Sequence, residues 1–203
     1  MRMRQWLAAT GVVAAFGMTA AGMSAADPGN AVSPGAIDTL IVPIDQITPR
    51  MDHTTVNSSP TASPPVASGG PNPTDPCYFD ALQPDAAELF GTDLQAFRDV
   101  NYSGVGNILV NQAVAVYPDA ATAATVIARL TGGLSSCKAS SPAGLSVSNL
   151  SLAGAAWSGS ICADEARAVR NVAIRVQVCH MGGPAAVAAS VADAITAKVN
   201  SAN

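Results

Sequence analysis

The most regular alternation of apolar and polar residues in the chain runs from Ala168 to Cys179. One set of alternate positions holds Val172, Ile174, Val176 and Val178. The other set holds Asn171, Ala173, Arg175 and Gln177. A period of two residues is typical of a β-strand with one buried face. Further strands are predicted over residues 105–116, 145–152 and 155–161, so the pattern indicates a sheet of several strands.

Segments with a helical period alternate with these strands. Asp119 is placed to cap a helix that Gly132-Gly133 is expected to end. A closing amphipathic helix is predicted over about residues 184–199, and a short helix over residues 84–90. This mixture of strands and helices predicts a packed α+β domain.

The N-terminus has the layout of a secretory signal peptide. Two arginines, Arg2 and Arg4, precede an apolar run over residues 6–15, and small residues follow it. We expect residues 1–26 to be removed by cleavage after Ala26, which makes the protein secreted or extracytoplasmic, in the periplasm or cell wall. An uncleaved membrane anchor is the alternative, but the apolar run is shorter than the roughly 20 residues of a bilayer span. No stable membrane insertion is expected after cleavage.

Composition divides the rest of the chain into parts. Residues 27–36 are expected to be a disordered N-terminus. The domain is expected over residues 37–200, and it begins with an apolar patch in which Pro43 is placed to open a helical turn. Within the domain, residues 52–76 are rich in Pro, Ser and Thr. This stretch is predicted to be a loop, because it cannot bury enough apolar surface to order itself.

Charged side chains are scarce, and the net charge has the wrong sign for nucleic acid. They make up 12% of the 203 residues, against about a quarter in an average globular chain. The formal net charge is −4, whereas phosphate contacts need clustered Lys and Arg side chains. We therefore expect no nucleic-acid partner.

The cysteine count indicates disulfide bonds. The chain has four cysteines, Cys77, Cys137, Cys162 and Cys179. An even number in an exported protein is typical of disulfides, and three pairings are open. No CxxC spacing occurs, and the two histidines are not spaced from a cysteine pair as zinc ligands are. We therefore expect no metal and no other cofactor.

Candidate catalytic groups are few. A serine or cysteine nucleophile needs a nearby base, and with His53 in the predicted loop only His180 is left for that role. The segment 154–159 resembles the nucleophile elbow of hydrolases but lacks the helix that should follow it. The adjacent acids Asp164 and Glu165 are expected in a solvated turn. We expect no enzymatic activity, with a hydrolase as a distant alternative.

Two segments carry the side chains expected of a ligand-binding surface. Asn171, Arg175 and Gln177 share the strand face opposite the core, where one cation and two amides would meet a polar or acidic ligand. Arg98 and Tyr102 lie in a segment that mixes an aromatic, a charge pair and an amide. The ordinary alternatives are a solvated outer face of the sheet and an exposed edge strand.

Three features along the chain occur together in one known family. An apolar patch precedes the first cysteine, Tyr-Pro-Asp-Ala-Ala at 117–121 enters a helix, and an Arg-Asn-Val strand over residues 169–179 ends in a cysteine. In this order, and over about residues 37–200, the chain resembles the PknH-like extracellular sensor domain of mycobacteria. One departure is the segment 134–136 before Cys137, because many members carry a tryptophan there and this chain has Leu-Ser-Ser.

The resemblance implies a fold, a disulfide pairing and a role. The implied fold is α+β, with a bent antiparallel β-sheet flanked by helices that form a cleft. The implied disulfides are Cys77–Cys137 and Cys162–Cys179. The implied role is that of a stand-alone secreted sensor domain, which binds an unknown small molecule or cell-envelope component and has no kinase of its own. The alternative is a structural or interaction protein of the bacterial cell envelope, with residues 52–76 as its contact.

Overall fold

Seven strands form one antiparallel sheet in the part of the chain that the structure describes. The structure is a computed structural model, and it describes residues 31–47, 56–62, 65, 89–140 and 144–202. Along the chain the strands are β1 (Val56–Ala62), β2 (Ala96–Gly104), β3 (Leu109–Val116), β4 (Ser146–Ser151), β5 (Gly154–Ser158), β6 (Cys162–Val169) and β7 (Val172–Cys179). Their order across the sheet is β1-β2-β3-β7-β6-β5-β4, and every neighbouring pair is antiparallel.

Helices lie on both faces of this sheet. They are α1 (Ile37–Leu40), α2 (Ile44–Ile47), α3 (Ala120–Ser140) and α4 (Pro184–Ser201). As predicted, Asp119 caps α3, because its Oδ1 accepts the backbone N–H of Thr122 at 2.7 Å. The predicted fold class, an antiparallel sheet flanked by helices, is confirmed.

One face of the sheet is covered by α4 and by residues 31–47. The central strands contribute alternate residues to this layer, among them Val110, Val114, Ile174 and Val176. The helix contributes Val187, Val191, Ile195 and Val199 at the predicted spacing of four residues. This layer is the main apolar core of the domain.

Two buried amides tie residues 31–47 to the sheet. Asn171 donates from Nδ2 to the carbonyl of Val32 at 3.0 Å, and its Oδ1 accepts the Val32 N–H at 2.7 Å. Gln112 makes the same pair of contacts with Val42, at 3.0 and 2.9 Å. The disorder expected over residues 27–36 is therefore wrong for residues 31–36, since Val32 is buried and held at two points.

The opposite face of the sheet is covered by α3. The sheet presents small side chains to it, among them Ala113, Ala115, Ala166 and Ala173. The helix contributes larger apolar side chains, among them Ile127, Leu130 and Leu134. Small residues on the sheet allow the helix to pack closely, and this layer forms a second core.

The helix α3 does not end at Gly132-Gly133, as the sequence predicts, but continues to Ser140. Each glycine inside a helix costs about 1 kcal/mol relative to alanine. The turn that follows buries Leu134 and Cys137 against the sheet, and burial of a leucine contributes about 1.5–3 kcal/mol. Packing beyond the glycines therefore offsets their cost.

The strand β6 is absent from the predicted strands. Its sequence, Cys-Ala-Asp-Glu-Ala-Arg-Ala-Val, has no regular alternation of large apolar residues. It nevertheless lies between β5 and β7, and a turn at residues 170–171 separates it from β7. Asp164 and Glu165 are therefore buried in a strand and not in the solvated turn that the sequence predicts.

The strand β1 corrects the loop predicted over residues 52–76. Residues 56–62 pair with β2 at one edge of the sheet. The register shifts between Ser58 and Thr61, next to Pro60. Proline is tolerated at edges and bulges of a sheet, so the composition of this segment does not prevent pairing there.

A disulfide joins Cys162 to Cys179, which are directly opposed on β6 and β7. This pair was implied by the family resemblance and is confirmed. Cys137 is also disulfide-bonded. Cys77, the predicted signal peptide and most of the helix predicted over residues 84–90 lie outside the described residues. No helix among the described residues is long and apolar enough to cross a membrane.

Candidate functional site

Six polar side chains from four neighbouring strands lie together on the α3 face of the sheet, and we call them the polar row. They are Asp99 and Asn101 of β2, Asn111 of β3, Asp164 of β6, and Arg175 and Gln177 of β7. They alternate along their strands with residues of the main core, so they share the opposite face.

The strand register aligns the polar row across the sheet. Asn101 is opposite Asn111, and Asn111 is opposite Gln177. Gln177 in turn is opposite Asp164. Neighbouring strands are about 4.8 Å apart, so these four side chains span roughly 14 Å. Antiparallel pairing therefore builds one continuous polar surface from residues that are far apart in the sequence.

Asp164 and Arg175 form the buried end of the polar row. Their side chains are 2% and 9% exposed, and Nη2 and Nε of Arg175 lie 2.8 and 2.9 Å from Oδ1 of Asp164. Gln177 donates from Nε2 to both carboxylate oxygens of Asp164, at 3.2 and 3.3 Å. Burial raises the pKa of Asp164, while the charge and hydrogen bonds of Arg175 act in the opposite direction. The charged form of Asp164 is thus stabilised by Arg175 and Gln177, its two partners on β7.

Asp99, Asn101 and Asn111 form the partly exposed end of the polar row. Asn111 donates from Nδ2 to Oδ1 of Asn101 at 2.9 Å, and also to Oδ1 of Asp99. Burial raises the pKa of Asp99, and the hydrogen bond from Asn111 and the charge of Arg175 oppose this only in part. Because these side chains retain exposed surface, a molecule in solution can reach this end of the row.

Trp157 extends the polar row onto β5. It is opposite Asp164 in the register and only 2% exposed. Its Nε1 has no hydrogen-bond partner among the described residues. A buried indole N–H usually has a partner, so the buried end of the row carries one uncompensated donor.

The structure brings together two of the five predicted ligand-binding residues, Arg175 and Gln177. Asn171 lies apart from them, in the turn between β6 and β7. It donates to the carbonyl of Tyr117 at 2.8 Å, in addition to its two contacts with Val32. Its amide therefore positions backbone segments, and it does not share the surface of the polar row.

Arg98 and Tyr102, the other two predicted residues, lie on the opposite face of the sheet. Tyr102 is buried, and its hydroxyl donates to the carbonyl of Val42 at 3.1 Å. Arg98 forms an ion pair with Asp38 at 2.5 Å near the surface. Both side chains fasten the N-terminal segment to the sheet.

The sequence predicts Asp164 in a turn, and it includes Asp99 and Asn101 in the candidate segment with Arg98 and Tyr102 without selecting them as site residues. Asn111 is not singled out by the sequence. A usable signal was present, because Asp99 and Asn101 alternate with buried Val100 in the manner of a strand. What the sequence could not supply was the register that sets these residues beside Gln177 and Asp164.

The histidine considered as a base lies at the end of β7. His180 is exposed, and its backbone N–H donates to the carbonyl of Ile161 at 2.8 Å. Its φ of 57° lies in the left-handed region, which is typical of a turn residue. Within the described ranges, no group of three or more His, Cys, Asp or Glu side chains is arranged to hold a metal ion.

A separate pocket of about 330 Å³ lies where the segment 90–93 meets the start of α3. Its polar lining includes Asp93, Asp119, Thr122 and Arg129. Arg129 donates to the carbonyl of Leu89 at 2.7 Å and so closes one wall. The volume is at the lower end of the range for small-molecule sites, which is about 300–1,000 Å³. The polar row begins about 14 Å away along β3, at the level of Ala113, so the two are distinct surfaces.

The fold and its disulfides define a small α+β domain of the kind found outside the cytoplasm, where thiols oxidise. The model of one protein family, the PknH-like extracellular domain, matches residues 32–198, and the chain belongs to this family. The crystal structure of the extracellular domain of PknH from Mycobacterium tuberculosis is similar, with a TM-score of 0.65 and 18% sequence identity. The match covers 84% of this chain and 97% of that chain.

Because the sequence identity is only 18%, this structural similarity establishes the fold alone. No curated protein matches the sequence. Membership of a family of extracellular domains and the presence of a disulfide are both consistent with a location outside the cytoplasm.

Proposed function

We propose that the protein is a secreted, sensor-type ligand-binding domain that has no catalytic activity and binds its ligand on the polar row. One observation carries this proposal: a continuous row of polar side chains interrupts a sheet face that is otherwise lined by Ala and other apolar residues. The partner is a small molecule or a component of the cell envelope.

The energetics of the polar row support a functional role. A buried ion pair such as Asp164–Arg175 adds little to stability, and apolar residues of similar volume are often as stabilising. Asp99 adds an acid whose pKa is raised by burial, which means that its charged form is disfavoured by the fold. Groups that are costly to the fold and clustered on one surface are typical of binding sites.

The family supports the location and the class. Its members are described as extracellular domains like that of PknH, and the predicted signal peptide, cleaved after Ala26, accounts for export of this chain. We propose that the domain acts by occupancy, so that its output is a change in the free concentration of its ligand or in a partner that it contacts.

A thermal-shift screen of cell-envelope extract fractions tests the proposal. A ligand that binds only the folded protein raises the melting temperature by mass action. We expect a stabilising fraction whose effect is lost in Asn111→Ala and retained in Asn200→Ala, an exposed amide on α4. The absence of any stabilising fraction, together with a crosslinked protein partner mapping to residues 52–76, would instead support the structural or interaction role.

A further inference from the structure

We propose that the polar row recognises a positively charged amine, so that the ligand class is a small molecule with an alkylammonium group. This inference rests on the proposed function and adds the chemistry of the ligand. Two observations support this ligand class: the hydrogen-bonding atoms of the row that already have partners within the row, and the net charge of the row.

The amide nitrogens of Asn111 and Gln177 are engaged within the row. Nδ2 of Asn111 donates to Asn101 and Asp99, and Nε2 of Gln177 donates to Asp164. This pattern fixes the orientation of both amides. No hydrogen bond from the described residues reaches Oδ1 of Asn111, Oε1 of Gln177 or Oδ2 of Asp99. Asp99, Asn111 and Gln177 therefore offer acceptors to a ligand, and a ligand that contacts these three side chains must bring donors.

The charge of the polar row has the sign that attracts a cation. Its ionisable members are Asp99, Asp164 and Arg175, which sum to −1 when all are ionised. Arg175 is paired with Asp164 and 9% exposed, so an acidic ligand would have to displace a buried carboxylate to reach it. The polar or acidic ligand expected from the sequence is thus replaced here by a basic one.

Asp99 is the charge that an ammonium group would compensate. It is partly buried next to Asn111, and β3 lies between its strand and β7. Two strand spacings, about 9.6 Å, therefore separate it from the strand of Arg175, whose guanidinium is paired with Asp164. An alkylammonium group has three N–H donors in a compact head. Two acceptors lie next to each other for such a head, Oδ2 of Asp99 and Oδ1 of Asn111, because the Asn111 amide already contacts the Asp99 carboxylate.

Isothermal titration calorimetry of the full-length protein with two matched probes tests the ligand class. The first probe is 1,5-diaminopentane, and the second is 1,5-pentanediol, which has the same length and hydroxyl donors but no charge. We expect saturable binding of the diamine at neutral pH and binding of the diol that is at least roughly tenfold weaker, because it lacks the charge interaction with Asp99.

Two aspartate variants locate the interaction. Asp99→Asn removes the charge but keeps an oxygen to accept from Asn111, and we expect diamine affinity to fall roughly tenfold. Asp193→Asn removes the same charge from the exposed surface of α4 and should leave affinity unchanged. A single cooperative melting transition, at a temperature no lower than that of the parent by more than a few degrees, would show that each variant is folded.

The outcomes separate this inference from the proposed function. Equal binding of diol and diamine, no binding of either probe, or equal effects of the two variants would overturn the amine class. The proposed function depends instead on the envelope-extract fraction and its loss in Asn111→Ala, and that result stands whatever the charge of the ligand.

Discussion

The buried pair of Asp164 and Arg175 makes a prediction that can be worked from its geometry. Arg175→Met keeps the volume of the side chain but removes both nitrogens that contact Asp164, at 2.8 and 2.9 Å. Asp164 is then a carboxylate with 2% side-chain exposure whose remaining contacts are those from Gln177. Removing one partner of a buried pair costs about 3–5 kcal/mol.

That loss is large enough to measure by calorimetry. For a protein of this size, 1 kcal/mol shifts the melting temperature by about 2–4 °C, so Arg175→Met should lower it by roughly 6–20 °C at pH 7. The deficit should shrink toward pH 4, because Asp164, whose pKa is raised by burial, then takes up a proton.

The double variant Asp164→Leu with Arg175→Met is the control. It removes both charges together, and we expect it to recover most of the lost stability, since apolar replacement of a buried pair is often neutral or stabilising. A shift below about 2 °C for Arg175→Met alone, or a double variant that is no more stable than the single one, would refute the reasoning about this pair.

Three further predictions address other parts of the account. Burial raises the pKa of Asp99 in the folded state, so the folded protein holds this proton more tightly than the unfolded chain does. The stability that results is present below the unfolded pKa of about 3.9, and it is lost as the pH rises through the folded pKa. The melting temperature of Asp99→Asn relative to the parent should therefore rise from pH 4 to pH 7, and a fall would contradict the burial of this acid. Asn171→Ala should lower the free energy of unfolding in urea by at least about 2 kcal/mol, because it leaves buried backbone groups of Val32 without partners. A loss below about 0.5 kcal/mol would mean that Asn171 does not hold the N-terminal segment. Peptide mapping without reductant should yield a Cys162–Cys179 peptide, and a peptide joining Cys162 to any other cysteine would contradict the pairing of β6 with β7.

The parts of the fold that the sequence predicts are those where large apolar residues repeat with one period. The strand β7 and the helix α4 satisfy this condition, with Val176 and Val191 as typical buried residues. The strand β6 does not, because its alternating positions are filled by alanine and by charged residues that are satisfied through ion pairs. Local pattern cannot show that a charged residue will find its partner on a strand formed later in the chain.

The candidate site was predictable in part for the same reason. Arg175 and Gln177 could be found because they lie on the most regular strand. The residue types around Arg98 and Tyr102 predict a ligand surface, although the even-numbered positions of both on β2 place them on the face opposite Asp99. Strand parity separates the two faces of one strand, but only the register between strands shows which residues from different strands meet.

The most direct test of the polar row as a binding surface is an NMR titration with the stabilising envelope fraction. The side-chain amide resonances of Asn101, Asn111 and Gln177 report on the row itself, and the amide of Asn200 on α4 provides an internal reference. If the polar row binds the ligand, the three row amides should show saturable shifts and Asn200 should show none. Shifts confined to residues outside the row, such as those lining the pocket at the start of α3, would contradict it.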